Sequence, residues 1–236
     1  MSKYDRFFDV QEAKYAGIRA AGIKTRSTGL RHDPALQKRN GCVSIALSHP
    51  LAIEQGIADF SRLIAGVVPA LVYEAKDLHT TLCSGRTEEN FFPRARAGLI
   101  EELGDLARVV ASTLRLISAG SIEITYTRYL HNDSVVIAAG EPNNAYVDLV
   151  GHIAGFAEGL EVIVYPAIDA HITVSRFTQS VGPEQLGNFF SLMEQEGPGV
   201  SVPDKLHVGY SYWDAESPYT TNGHFVRFHS FSITSP

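Results

Sequence analysis

Apolar residues recur along this 236-residue chain in two rhythms. One has the helical period near 3.6, and the other alternates with a period of two, as strands do. Residues 4–21 carry Phe7, Phe8, Val10, Ala13, Tyr15, Ala16 and Ile18 among charges, which predicts a helix ended by Gly22. The stretch 24–41 is polar and irregular. Residues 42–48 read as a strand, and Pro50 opens a helix that carries Ile53, Ile57, Phe60, Leu63 and Ile64. Residues 71–83 predict a strand or strand pair, broken by Gly85. The longest helical stretch is 88–117, with Pro93 early in it and Gly120 stopping it. A hairpin follows, 121–130 with 135–139, turning at His131-Asn132-Asp133. Then come a helix over 144–160, strands over 161–165 and 168–177, and a short helix to about residue 196 closed by Gly197-Pro198-Gly199. Residues 206–213 and 225–233 form a last hairpin.

Strands and helices mix without a regular β-α-β alternation, so the fold class is α+β with largely antiparallel sheets. The succession of strand, helix, strand, helix and hairpin repeats loosely. That suggests two similar, pseudo-symmetric lobes. Residues 1–41 read as a basic N-terminal extension, and 42–236 as a single bilobal domain.

Composition narrows the function. Hydrophobic residues make up 44% and charged residues 19%, as in ordinary globular proteins. No run is long and apolar enough for a membrane helix, and no apolar segment follows the charged N-terminus as in a secretory signal. Two cysteines, Cys42 and Cys83, are too few for a disulfide scaffold and read as buried free thiols in a reducing compartment, hence a cytoplasmic protein. The net charge of -6 argues against a grip on long nucleic acid but leaves room for a small nucleotide or a short RNA end. Nine of the 20 basic residues fall within residues 1–40, against four acids. The segment 24–41 is therefore expected to lie near an anionic ligand.

The chemistry concentrates in two segments of like spelling, His79-Thr80-Thr81-Leu82 and His171-Ile172-Thr173-Val174. In a strand, His79 and Thr81 share one face, as do His171 and Thr173, with apolar anchors behind. If the two strands are neighbours, two imidazoles and two hydroxyls converge. Histidine is accessible in either protonation state near neutral pH, so this set suits a phosphate flanked by a base and an acid.

These segments resemble the paired H-x-[ST]-x motifs, apolar at x, of the 2H phosphoesterase superfamily. Thr80 departs mildly from that pattern, since an aliphatic residue is more usual there. The resemblance covers roughly residues 42–234. It implies a bilobal α+β fold, one motif per lobe facing a central cleft, no metal and no other cofactor. It also implies hydrolysis of a 2′,3′-cyclic nucleotide or a similar phosphodiester at an RNA end, with His79 and His171 catalytic and Thr81 and Thr173 on the phosphoryl oxygens. On the resemblance alone, His171 is the base and His79 the acid for ring opening. A binding protein without turnover and an RNA-end ligase are the alternatives.

Further contacts are expected among Tyr126, Tyr210 and Trp213, any of which can stack on a base, and Arg128, which can hold a second phosphate. Strict alternation turns Arg176 away from the His171 face and puts Cys83 on the His79 face. His32, His49 and His131 read as loop or turn residues, while one of His207, His224 and His229 is a candidate to face the cleft. Thr rather than a ligating side chain follows each motif His by two, and there is no H-E-x-x-H or G-x-S-x-G, which disfavours a metal site or a serine nucleophile. The oligomeric state is left open.

Overall fold

The computed structural model describes residues 2–38, 41–89, 98–116, 121–214 and 222–233, with the side chains of 213, 214, 222 and 223 excepted. In chain order the elements are α1 (Lys3–Thr28), α2 (Pro34–Gln37), β1 (Gly41–Ser48), α3 (Leu51–Ala65), β2 (Thr80–Ser84), α4 (Leu99–Leu116), β3 (Ile124–His131) and β4 (Val135–Pro142). There follow α5 (Asn144–Gly159), β5 (Tyr165–Pro166), β6 (Ala170–Arg176), α6 (Gly187–Leu192), β7 (Glu196–Ser201), β8 (Lys205–Asp214) and β9 (Asn222–Ser232). The result is α+β, and all strand pairs are antiparallel.

The strands line up as β7-β3-β4-β6-β2-β1-β8-β9, with β5 beside β2. This sheet is two four-stranded halves, and their junction between β6 and β2 rests on one residue pair, Thr80 opposite Ile172. Beyond Thr80 the two strands part, and β2 pairs instead with β5 at Cys83 and Ser84. A cleft opens at that junction. The apolar stripe of α4 packs on β1, β8 and β9, while α3 packs on β6 and β7. The core between these layers includes Val43, Ile45, Leu82, Val110, Ile172 and Val174, all fully buried.

Several elements differ from the sequence reading. The first helix runs past Gly22 to Thr28 and is capped by Gly29, at φ 78°. Gly22 serves close packing instead: a Cβ there would lie 2.6 Å from the His131 carbonyl oxygen. The Gly197-Pro198-Gly199 stretch, expected to close a helix, lies in strand β7. There Gly197 meets β3 so closely that a Cβ would come within 2.3 Å of the Tyr126 carbonyl oxygen. Of the strand expected over 161–165, only Tyr165–Pro166 forms. Pro93 and Gly120 lie outside the described residues.

Segment 1–41 is packed onto the body. Tyr15 is buried with Leu130, Ile137 and Ala139 beneath α1. In segment 24–41, Arg26 lies over the Phe190 ring, Arg31 pairs with Asp133 and Lys38 with Glu89. Those cations therefore face protein partners. Among the described residues, the basic side chain of the N-terminal segment that reaches the cleft is Lys14.

Candidate functional site

Both motif strands carry the same irregularity. The pairing of β1 with β2 steps from Ala46–Thr81 to Ile45–Cys83, which leaves Leu82 as an extra residue. The pairing of β4 with β6 steps from Ile137–Thr173 to Val136–Ser175, which leaves Val174 as an extra residue. These are β-bulges, and each reverses the alternation beyond it. Leu82 and Cys83 are both buried, as are Val174 and Ser175. Ser84 and Arg176 return to the cleft. The cleft face is thus His79, Thr81 and Ser84 on one strand and His171, Thr173 and Arg176 on the other. Arg176 was expected to point away and Cys83 to share the His79 face. The bulges overturn both expectations.

The antiparallel register centred on Thr80 and Ile172 sets each histidine opposite the other strand's threonine. His79 faces Thr173 and His171 faces Thr81, an approximate two-fold about a cleft of about 440 Å³. Lys14, Ser44, Tyr165, Ser211 and His224 add to its walls. Among the described residues, no three His, Cys, Asp or Glu side chains come together as a metal site.

The two histidines are held differently. His79 donates from Nδ1 to the Asp77 carbonyl oxygen at 2.8 Å, and its ring lies against Phe225 with centroids 4.3 Å apart. Burial holds its pKa down to about 4, against the pull of the Asp77 carbonyl, and His171, Arg227 and His207 push the same way as burial. His79 is therefore neutral near pH 7. With Nδ1 as the donor, Nε2 carries the lone pair.

His171 Nδ1 meets the Asp169 carboxylate at 2.8 Å, and the other Asp169 oxygen meets Lys14 Nζ at 2.7 Å. Asp169 is 3% exposed. Burial alone would raise its pKa, but His171 and Lys14 outweigh that and hold it at about 2. The carboxylate is charged, fixes the imidazole and offsets the positive charge of a protonated ring.

Behind the motif strands, Thr80 joins a buried polar chain. Its Oγ1 lies 2.6 Å from the Tyr126 hydroxyl and 3.1 Å from His49 Nε2, and His49 Nδ1 lies 2.8 Å from Ser201 Oγ. This accommodates the departure at Thr80, since a buried hydroxyl needs partners. It also places Tyr126 and His49. Tyr126 is fully buried on the opposite side of the strands from the cleft, so it offers no stacking surface. His49 lies in the loop between β1 and α3, as expected, yet is only 5% exposed, and burial together with His79 pushes its pKa down to about 3.

The other expected contacts fall away from the cleft. Arg128 is exposed on β3, and Tyr210 packs beside Tyr212 against the core. Neither lines the cleft. The Trp213 side chain lies outside the described residues. Of the three C-terminal histidines, His224 lines the cleft.

Among solved structures similar to the chain is the conserved protein of unknown function ATU0111 from Agrobacterium tumefaciens str. C58. It is 14% identical, covers 87% of this chain and 97% of its own, and gives a TM-score of 0.56. TT0787 of Thermus thermophilus is 14% identical, covering 81% and 97%, with a TM-score of 0.50. LigT of E. coli complexed with ATP is 11% identical, covering 83% and 99%, with a TM-score of 0.48. No protein-family model and no curated protein matches the chain.

The chain therefore shares the fold of ATU0111 and of TT0787.

Three cleft residues were missed in the sequence. Asp169 had a signal: an Asp precedes each motif His by two, at Asp77 and Asp169. Lys14 had none beyond its charge, because its place depends on how α1 docks. Ser84 was hidden by the bulge.

Proposed function

We propose that the chain is a metal-independent phosphoesterase of the 2H type that hydrolyses a 2′,3′-cyclic nucleotide or a similar nucleotide or RNA-end phosphodiester. The observation that carries this reading is the pairing of a neutral histidine with a carboxylate-backed one across a single cleft. A volume of about 440 Å³ suits a small nucleotide and is within the roughly 300–1,000 Å³ of small-molecule sites.

In ring opening, His79 Nε2 takes a proton from water as the water oxygen attacks phosphorus. The bond from phosphorus to one ribose oxygen breaks, and His171 gives that oxygen its Nε2 proton. This reverses the order implied by the resemblance. The reason is that burial favours the neutral ring of His79, which leaves the acid role to His171 with its carboxylate partner at Nδ1. Thr81 and Thr173 donate to the non-bridging oxygens, while Arg176 offsets the charge that builds on them. In the reverse direction the two histidines exchange roles.

The test is hydrolysis of a panel of 2′,3′-cyclic nucleotides with EDTA present, for the native protein, His79→Ala and His171→Ala. Turnover that survives EDTA and collapses in both variants supports the reading. Activity lost to EDTA, or kept in either variant, overturns it. Tight binding without product from any member replaces it with a binding role.

A further inference from the structure

Helix α1 reaches the strand entry at His171 with three side chains on one face. Gln11, Lys14 and Tyr15 follow one another at helical spacing. Gln11 Oε1 accepts the Ala170 N–H at 3.0 Å. The Tyr15 hydroxyl lies 2.7 Å from the Ala170 carbonyl oxygen, to which it donates. Lys14 Nζ donates to Asp169 Oδ1 at 2.7 Å and also lines the cleft. All three contacts fall on the two residues just before His171. Asp169 is nearly inaccessible, whereas the Lys14 side chain keeps about a third of its surface (35%).

We infer that Lys14, on a helix far outside the two motifs, is a positioning residue of the reaction that acts on His171 through Asp169. This inference rests on the phosphoesterase reading and adds an element to it. One carboxylate serves two cations at once. Its Oδ2 fixes the imidazole through Nδ1, and its Oδ1 is tied to Lys14. The tie has two effects. It holds the carboxylate plane, and with it the direction of Nε2. It also spends part of the negative charge, so Asp169 steadies the imidazolium without gripping its proton. An acid that must release a proton to a ribose oxygen needs both.

The groups around His171 are Asp169 just before β6, Arg176 on β6, Lys14 and Tyr15 on α1, His79 just before β2, Tyr146 on α5 and Tyr165 on β5. Arg176 is itself paired with Asp33. Removing the Lys14 charge therefore leaves Asp169 to His171, and the sign follows. The ring proton is held more tightly, and the group becomes a weaker acid.

The experiment compares the native chain with Lys14→Met and Lys14→Arg, using a 2′,3′-cyclic nucleotide and a nitrophenyl phosphodiester whose leaving group needs no proton. Lys14→Met is expected to lower kcat on the cyclic nucleotide by about tenfold, with KM nearly unchanged. The alkaline limb of its pH–rate profile is expected to move up by about one unit. The nitrophenyl substrate is spared, and Lys14→Arg restores both readouts. The His171 ring titration, followed by NMR in the same variants, is expected to move up with Lys14→Met whether or not a substrate is in hand. An equal loss on both substrates with no movement of the limb or of the NMR midpoint overturns the inference and leaves Lys14 a structural pair. Absence of turnover in the native chain overturns the phosphoesterase reading instead, and the NMR midpoint then judges Lys14 alone.

Discussion

The two half-sites share a sequence and a backbone yet are wired differently. Each reads Asp-x-His-x-Thr, and each strand bulges one residue after its Thr. At His171 the preceding aspartate turns its carboxylate to the ring. At His79 the preceding aspartate offers its backbone carbonyl, and its carboxylate goes elsewhere. Asp77 Oδ1 accepts the Phe225 N–H at 3.1 Å and so braces the ring that packs on His79. The difference comes from the neighbours. Strand β9 runs past Asp77 with a free N–H, while α1 brings a lysine to Asp169. A repeated motif thus supplies two imidazoles, and the rest of the fold decides how each is held.

The widest break in this comparison is expected from deleting each ring and changing the leaving group. His79→Ala and His171→Ala should each cost about 10²–10⁴ in kcat on a cyclic nucleotide. On a nitrophenyl phosphodiester only His79→Ala should stay crippled, because the departing phenolate needs no acid. The same ratio of loss on both substrates in both variants would show that base and acid are not divided as argued.

The aspartates give the next largest contrast. Asp169→Asn removes the charge at His171 and should cost about 10–10² in kcat, below the loss from removing the ring itself. Asp77→Asn leaves the His79 carbonyl contact intact and keeps an acceptor for Phe225, so kcat should fall less than threefold. Parallel kinetics of the two variants check this. Equal losses would mean that both carboxylates act on their rings.

Much of this was legible in advance, and the rest failed for identifiable reasons. The two His–Thr pairs, the antiparallel hairpins and the lobe-like repeat follow from short-range pattern, and β3, β4, α5 and β6 lie close to where that pattern puts them. Strand parity failed at Cys83 and Arg176 because a bulge adds a residue without a sequence mark. Tyr126 was misplaced because an aromatic on a strand reads alike whether its ring faces core or cleft. Lys14 and Asp169 are 155 residues apart, a contact that no local rhythm encodes.

The pH dependence sharpens the comparison further. A base must be unprotonated, and His79 is held at about 4. In the free protein, kcat/KM should therefore hold its level down to about pH 5 and fall only near pH 4, well below the 6.5 of an ordinary histidine. The same depression bears on stability. His49, at about 3, and His207, at about 4, are lowered mainly by burial, as His79 is. Their folded values lie below the unfolded one, so the unfolded chain binds protons first as pH falls. Their contribution is whole above about 6.5 and is lost from there down to about pH 4, and for His49 to about pH 3. Urea midpoints across that window check the sign, and a flat series would contradict it.

The smallest effect on turnover, and a plain effect on stability, is expected at Thr80, the residue at the centre of the two-fold. Thr80→Val keeps shape and strand propensity but removes the hydroxyl that bridges Tyr126 and His49. Two buried polar groups then lose a partner, at a cost of about 1–3 kcal/mol each at most. The cleft face of β2 is untouched, so kcat should stay within about twofold, the small change usual for a site outside the reacting groups. Thr80→Ser keeps the hydroxyl and should recover most of the stability. If Thr80→Val unfolds at the native urea concentration, the chain of contacts behind the strands does not hold the halves together. If it keeps its stability but loses turnover, the buried network reaches His79 through the strand, and the back of the sheet belongs to the site.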